Sequence, residues 1–176
     1  MNGPFTFRDM TLDDCRRVSE IRIHGWRTAY RGLIPQSYLD ALDIDADTAR
    51  RRARFAPGGD VVNLVAELDG EVVGWSAHGP YRDGEVRTED AELYALYAAS
   101  ELIGAGVGRA LLAESARRCA ARGHRRMFLW VLKENARARR FYERAGLHAD
   151  GAEEAFDTDG VAVPEVRYTG VLPLPG

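Results

Sequence analysis

Three glycines at alternate positions mark the stretch of sequence best suited to bind a charged group, IGAGVGRALL at 103–112. Gly104, Gly106 and Gly108 precede Arg109 and an apolar run with helical periodicity. The first backbone N–H groups of a helix have no intrahelical acceptor and carry partial positive charge, so they bind phosphate well. Glycine lets such a ligand approach the backbone closely. The stretch therefore predicts a phosphate site, and the alternative is a strand-to-helix turn whose glycines serve packing alone.

The spacing of these glycines excludes two common nucleotide motifs. In the pattern Gly-x-Gly-x-x-Gly the third glycine would fall on Arg109 when counted from Gly104, and on Leu111 when counted from Gly106. The P-loop pattern requires Gly-Lys-Ser or Gly-Lys-Thr, and the sequence contains neither. A phosphate bound at this turn would therefore be held by a different motif, and a plain strand-to-helix turn stays the alternative.

A second group of polar residues falls on one side of a predicted helix, ENARARRFYERAG at 134–146. Asn135, Ala138, Arg139 and Tyr142 are three or four residues apart and share a helical face. An amide and a phenol two turns apart are unusual on a face that only packs. The alternative is an ordinary amphipathic helix with Tyr142 at the edge of the core.

Predicted strands and helices alternate around these two segments, which indicates an α/β chain. Alternating or continuously apolar runs predict strands at 5–9, 61–68, 71–79, 91–98, 126–132 and 163–172. Spacings of three and four predict helices at 15–29, 36–42, 45–55, 107–122 and 135–146. An Asp-Gly turn joins the second strand to the third, and the polar segment 81–90 is predicted to be a connection.

The composition narrows the class of protein. With 176 residues, 45% of them hydrophobic, the chain is expected to be one globular domain spanning 1–176. A net charge of −3 gives no argument for a nucleic-acid partner. Between residues 104 and 146, however, eleven arginine or lysine residues face three glutamates. That half of the chain should attract an anion.

Cysteine, histidine and hydropathy patterns bear on location and metals. Cys15 and Cys119 are far apart without a metal-binding spacing, which predicts two buried thiols in a reducing compartment. The four histidines also lack such a spacing, so no metal is expected. No secretion signal is recognisable at the start, and no run approaches the roughly 18 apolar residues of a membrane span. The expected location is the cytoplasm, without a membrane partner.

The glycine turn and the downstream helix together resemble the GCN5-related N-acetyltransferase (GNAT) family from about Glu92 to Gly146. The shared pattern is strand, glycine turn, helix, strand and then Asn-x-x-Ala-x-x-x-Tyr-x-x-x-Gly. The family signature for phosphate, Gln/Arg-x-x-Gly-x-Gly/Ala, falls on IGAGVG. Gly106 and Gly108 match it, and Ile103 stands where the family has Gln or Arg.

This resemblance implies a mostly antiparallel mixed sheet flanked by helices, with acetyl-coenzyme A as the acetyl donor. The glycine turn would hold the pyrophosphate, and Arg109, Arg139 or Arg140 would meet the outer phosphate. A backbone N–H near Tyr97 or Ala98 would stabilise the oxyanion. The full implied set for the cofactor is Leu96, Tyr97, Ala98, Ile103, Gly104, Ala105, Gly106, Val107, Gly108, Arg109, Asn135, Ala138, Arg139 and Tyr142.

Two side chains are candidates for the acid and base of acetyl transfer to an amine. An alkyl amine has a pKa near ~10.4, so a general base is useful at neutral pH. Glu92 begins an otherwise apolar strand at the point where family members carry a catalytic Glu, and its alternative is a strand-end carboxylate facing water. Tyr142 matches the family tyrosine that protonates the departing thiolate, and its alternative is an edge-packed phenol.

The acceptor is expected to be a primary amine on a small molecule or peptide. Its site should come from the first helices and the hairpin, and the candidates, each of which can instead be a core or rim residue, are Trp26, Tyr30, Trp75, His78, Tyr94 and Tyr168. Two alternatives stay open: a non-catalytic acyl-coenzyme-A-binding regulatory module, favoured by Ile103, and another donor such as succinyl-coenzyme A. A homodimer is compatible with the resemblance.

Overall fold

A computed structural model of the chain describes residues 4–83 and 86–176. Its strands are β1 Thr6–Asp9, β2 Val62–Leu68, β3 Glu71–Asp83, β4 Val86–Ala98, β5 Arg126–Leu132, β6 His148–Thr158 and β7 Val161–Val171. Its helices are α1 Cys15–Ala29, α2 Gln36–Asp40, α3 Ile44–Arg54, α4 Val107–Ala121 and α5 Ala136–Arg144. Among these residues no helix is long and apolar enough to cross a membrane.

The seven strands form one mixed sheet in the order β1-β2-β3-β4-β5-β7-β6. Neighbouring strands are antiparallel except β4 and β5, which are parallel. Parallel strands require a crossover connection, and here α4 supplies it. The predicted fold, a mostly antiparallel mixed sheet flanked by helices, is confirmed.

The helices cover both faces of the sheet. On one face α1 buries Cys15, Val18 and Ile21 against the central strands, and α3 packs beside it. On the other face α4 buries Val107 and Leu111 against β2 and β3. These two layers are called the α1 face and the α4 face below.

The boundary between β3 and β4 corrects one prediction. The segment 81–90, expected to be a polar connection, consists mostly of the ends of these two strands, with Gly84 and Glu85 outside the described residues. Strand pairing extends through Arg82 opposite Arg87. Polar residues at the ends of a strand do not show the alternation of apolar residues that predicts a strand. The sequence analysis therefore predicted a hairpin shorter than the one observed.

Strand β6 was absent from the sequence prediction. Most of its side chains are exposed, so it lacks the apolar alternation that marks a half-buried strand. The signal that could have found it is an Asp-Gly pair, Asp159 and Gly160, both in the left-handed region. The predicted turn at Asp69 and Gly70 has the same geometry, which is typical of two-residue hairpins.

The sheet opens between β4 and β5. Their parallel pairing covers only Ala91 opposite Met127 and Glu92 opposite Phe128. Just beyond, Ala77 of β3 pairs with Ala95, and His78 with Leu93, so Tyr94 is an extra residue on β4. Such a bulge bends a strand and re-aims its side chains. From this point β4 and β5 diverge.

Candidate functional site

A cleft of about 410 Å³ occupies the gap where β4 and β5 part. It is lined from the α1 face and from the α4 face, so it passes through the plane of the sheet. The residues that form it are Gly25, Thr28, Ala29, Tyr30, Leu93, Tyr94, Ala95, Leu96, Tyr97, Ala98, Ser100, Ile103, Gly108, Leu129, Trp130, Val131, Leu132, Asn135, Arg137, Ala138, Phe141, Tyr142 and Glu165.

The backbone of β4 offers hydrogen-bonding groups along one wall of this cleft. The N–H of Ala99 donates to the carbonyl of Val73 on β3 at 2.8 Å. Backbone groups of successive strand residues point to opposite edges, so Tyr97 shares the β3 edge with Ala99. Leu96 and Ala98 therefore direct their N–H and C=O groups towards the cleft. Of the two positions predicted for an oxyanion donor, this geometry favours Ala98.

The glycine turn lies at the α4 end of the cleft. Gly104 and Gly106 both have a φ of 90°, and a Cβ on either would meet no atom within 4 Å. Their backbone conformation therefore requires glycine, because a side chain in the left-handed region costs roughly 1–2 kcal/mol. Helix α4 follows at Val107 with no side chain capping its N-terminus. The turn has the free N–H groups and open space that an anion site needs.

The residues around the turn have three different surroundings. Ile103 and Gly108 line the cleft, whereas Val107 is buried in the core between α4 and the sheet. Arg109 lies along a separate pocket between α4 and the C-terminal residues. The cation that lines the cleft is Arg137, which the sequence reasoning missed. It lies on α5 with Arg139 and Arg140, whereas Arg109 lies on α4.

Helix α5 brings three predicted residues into the cleft. Asn135 caps the helix, since its Oδ1 accepts the N–H of Ala138 at 3.1 Å, and both residues line the cleft with Tyr142. Arg139 does not join them. Its Nε donates to the hydroxyl of Tyr168 at 2.9 Å, and another of its nitrogens donates to a backbone carbonyl. Arg139 therefore lies outside the cleft lining, and its contact with a cofactor phosphate stays a prediction.

Tyr142 is the phenol predicted to act as an acid. Burial raises its pKa above the usual range for a tyrosine, and the neighbouring Tyr97 raises it further. Its hydroxyl is consequently protonated at neutral pH, which is the form that can donate a proton. Both rings line the cleft.

Aromatic residues of α1 meet the cleft on the opposite face. The Nε1 of Trp26 donates to the Tyr97 hydroxyl at 2.8 Å, and the ring of Tyr30 packs edge-on against Trp26 at 4.9 Å. A Cβ on Gly25 would lie 3.1 Å from the Tyr97 ring, so glycine here lets α1 come close to β4. Tyr30 lines the cleft and Trp26 stands directly behind it.

Two carboxylates with perturbed protonation lie on the α1 face. Burial, and secondarily Glu154, raise the pKa of Glu92 to about 7. The same two causes raise the pKa of Glu165 to about 7. Glu165, which sits opposite Leu132 in the strand register, lines the cleft, whereas Glu92 lies outside its lining. Sequence reasoning missed Glu165, although a charged residue within the apolar strand at 163–172 was a usable signal.

Three residues predicted to contact the acceptor lie elsewhere. Trp75 is buried beneath α1 and α3, where its Nε1 donates to Asn63. His78 points to the α4 face and is 1% exposed. Tyr168 is fully buried, and its hydroxyl donates to Glu143 at 2.8 Å. Strand alternation and core packing, which single-sequence reasoning could not assign to a face, decide these placements.

Two other expectations concern Tyr94 and metals. Tyr94 does line the cleft, and its hydroxyl donates to the carbonyl of Pro80. Within the described ranges no group of three or more His, Cys, Asp or Glu side chains is placed to hold a metal ion. The cleft therefore offers phenol, carboxylate, guanidinium and backbone groups to a ligand.

The sequence matches a known family over most of this architecture. Residues 23–147 match the profile described as the Acetyltransferase (GNAT) family. An uncharacterized N-acetyltransferase, YuaI, of Bacillus subtilis (strain 168) is 32% identical over 161 residues, covering 92% of this chain and 90% of that protein.

Solved structures share the fold. PaiA N-acetyltransferase from Thermoplasma acidophilum, in complex with coenzyme A, superposes with a TM-score of 0.71 at 20% identity, covering 97% of this chain and 99% of that one. YncA, a putative acetyltransferase from Salmonella typhimurium solved with its cofactor acetyl-CoA, has a TM-score of 0.71 at 23% identity, covering 97% and 95%.

Proposed function

Because this chain belongs to the acetyltransferase (GNAT) family and is an acetyltransferase, we propose that it transfers acetyl from acetyl-coenzyme A to a primary amine by direct attack in a ternary complex. The observation that carries this proposal is the cleft between β4 and β5, which reaches both faces of the sheet. One face offers the glycine turn and the other offers carboxylates and aromatics. Two similar folds bind coenzyme A or acetyl-coenzyme A, which supports this donor.

The cofactor would lie along β4 and end at α4. The backbone groups of Leu96 and Ala98 would bind the pantetheine arm, and Asn135 would contact it from α5. The pyrophosphate would occupy the turn at Gly104 and Gly106, whose N–H groups need no particular side chain. This reliance on backbone explains how Ile103, which is 45% exposed, can replace the family's Gln or Arg without removing the site.

Proton transfer would be divided between the two faces. Glu92 would accept the proton of the amine, directly or through water, because its raised pKa suits a base working near pH 7. Tyr142 would protonate the departing thiolate, and the N–H of Ala98 would stabilise the oxyanion. Glu165 is the alternative base, because it lines the cleft and has a similarly raised pKa.

The rival function is a regulatory module that binds an acyl-coenzyme A without catalysis. The feature that favours it is Ile103, which departs from the family signature. The two functions differ in the need for a proton donor, because a binding module does not require the protonated hydroxyl of Tyr142.

Two measurements test the proposal. We expect acetyl-coenzyme A to raise the Tm of the purified protein, since a ligand that binds only the folded state stabilises it, and NADH and ATP to leave it unchanged. Release of the coenzyme A thiol is then followed with a panel of amines. Tyr142→Phe should lower kcat by about 10²-fold or more while keeping the Tm shift. A Tm shift with no turnover on any amine would favour the regulatory module.

A further inference from the structure

A second cavity, of about 620 Å³, lies on the α1 face beside the cleft. It is bounded by α1, α3, β2 and β3, and we call it the arginine groove. The charged side chains that line it are Arg22, Arg50, Arg51, Arg54, Arg82, Asp47 and Asp60. Five guanidinium groups therefore share the groove with two carboxylates, on a chain whose net charge is −3.

The carboxylate of Asp47 forms ion pairs with three of the arginines. Asp47 lies 3.3 Å from Arg22, 3.5 Å from Arg50 and 3.4 Å from Arg51. A single negative charge cannot neutralise three positive ones. Burial lowers the pKa of Arg51 and Asp47 opposes this shift, while the positive charge of Arg22 lowers the pKa a little further. The network holds α1 to α3 and leaves positive charge in excess.

Two further arginines stand outside this network. Arg54 ends α3 and Arg82 lies on β3, and both are exposed. Neither forms an ion pair with the part of the chain that the structure describes. Guanidinium groups bind carboxylates and phosphates through paired N–H donors, so these two side chains can receive an anionic ligand without breaking a contact of the fold.

Two contacts link the groove to residues near the cleft. The guanidinium of Arg22 lies over the ring of Trp26, 4.7 Å from its centroid, and Trp26 in turn donates to Tyr97 in the cleft wall. The backbone N–H of Arg82 donates to the carboxylate of Glu92. A small molecule can therefore touch the groove and the acidic part of the α1 face together.

We propose that the arginine groove binds a carboxylate or phosphate on the acceptor, so that the substrate is a small amine that also carries an anionic group. This inference rests on the proposed acetyl transfer to an amine. The amine end would reach the cleft near Glu92 and Glu165, and the anionic end would lie between Arg54 and Arg82. Opposite charges at the two ends would fix the orientation of the acceptor.

Matched pairs of acceptors test the inference. Phosphoethanolamine is compared with ethanolamine, and an amino acid with its amide, by release of the coenzyme A thiol. We expect the anionic member of each pair to have at least about tenfold higher kcat/KM, because charge-assisted hydrogen bonds are worth roughly tenfold each. The double variant Arg54→Gln, Arg82→Gln should remove this preference by raising KM for the anionic amine alone.

The matched control is Arg125→Gln, which deletes an exposed arginine in the turn before β5, away from the groove. It should keep the preference for the anionic amine. Equal kcat/KM for both members of every pair, or a preference that survives the double variant, would overturn the groove assignment. Either result would leave acetyl transfer to amines standing.

A binding measurement separates the groove from the reaction. With coenzyme A present to occupy the glycine turn, inorganic phosphate, compared with chloride at equal ionic strength, should raise the Tm of the wild type and of Arg125→Gln but not of the double variant. If phosphate acts equally on all three proteins, the groove is not its site and the inference fails. This readout holds even if no amine in the panel is acetylated, a result that would count against the proposed function instead.

Discussion

The two sides of the cleft are built from different parts of the chain. The α4 side uses backbone from one stretch of sequence: the inner edge of β4, the turn at Gly104 and Gly106, and the start of α4. The α1 side uses side chains from distant elements, with Trp26 from α1, Glu92 from β4 and Glu165 from β7. The first side is local and made of N–H groups, and the second exists only after folding.

This difference teaches which side can vary. A site made of backbone groups would survive a change of side chain, as we propose for Ile103. A site made of side chains changes its ligand whenever one of them changes. We therefore expect the α4 side to hold what acetyltransferases of this fold share, and the α1 side to hold what is particular to this protein.

The largest expected effect is a loss of turnover when a carboxylate of the α1 side is replaced. Glu92→Gln should lower kcat by about 10²-fold or more, because the amine loses its base. In the wild type, kcat/KM should fall as the pH drops through about 7, since the base must be ionised and its pKa is raised to about 7. The variant should lose this dependence and keep its Tm shift with acetyl-coenzyme A.

Glu165→Gln is the matched control, with a carboxylate of similar pKa on the same face. If it removes turnover and the pH dependence while Glu92→Gln does not, the base belongs to β7. Stability gives a second check on folding. The raised pKa means that the ionised Glu92 destabilises the fold above pH 7, so Glu92→Gln should raise Tm at pH 8.

A smaller effect is expected from the glycine turn on the α4 side. Gly106→Ala places a side chain at a φ of 90°, and roughly 1–2 kcal/mol of strain should raise the KM for acetyl-coenzyme A about tenfold. Gly108→Ala is the control, at a position in the first turn of α4 where the glycine has no positive φ. Its Cβ would make an ordinary contact 3.6 Å from Phe141. Equal KM values in the two variants would mean that turn geometry does not decide cofactor binding.

The smallest effect concerns His78, on the α4 face but outside both sites. Its ring nitrogens have no hydrogen-bond partner among the described residues, and burial, then Arg118, lower its pKa to about 4. An unfolded histidine titrates near ~6.5, so the unfolded state binds the proton first. The free energy of unfolding should therefore decrease as pH falls from about 6.5 to about 4.

Urea unfolding at pH 7 and pH 5 measures this dependence. Because the raised pKa values of Glu92 and Glu165 act in the opposite direction, the quantity to compare is the difference between the two proteins, the wild type and His78→Leu. Between pH 7 and pH 5 the wild type should lose about 1–2 kcal/mol of unfolding free energy relative to His78→Leu. The same change in stability with pH in the variant and the wild type would show that His78 does not contribute to it.

Sequence reasoning succeeded where one segment carries its own signal. The boundaries of the predicted strand at 126–132 agree with β5, and the helix at 15–29 agrees with α1. The glycine turn was predicted because its backbone conformation requires glycine, which can be recognised in the sequence. These are local features, in which neighbouring residues determine each other's conformation.

Sequence reasoning failed where the face of an element decides the outcome. The bulge at Tyr94 has no pattern of its own, yet it turns Ala95 and Tyr97 towards α1. Arg137 lines the cleft, whereas Arg109 lies along a separate pocket beside α4 and Arg139 donates a hydrogen bond to Tyr168. Glu165 reaches the cleft through the register of β7 with β5, a pairing that no local pattern encodes.

The opening between β4 and β5 also affects how substrates would enter and products would leave. In the proposed reaction the sheet separates the two substrates. The nucleotide would bind on the α4 face and the acceptor on the α1 face, and they would meet only in the opening between β4 and β5. Each product can withdraw on the side from which its precursor arrived, so neither blocks the other's exit. Enlarging the acceptor site on the α1 face would then leave the proposed nucleotide site on the α4 face unchanged.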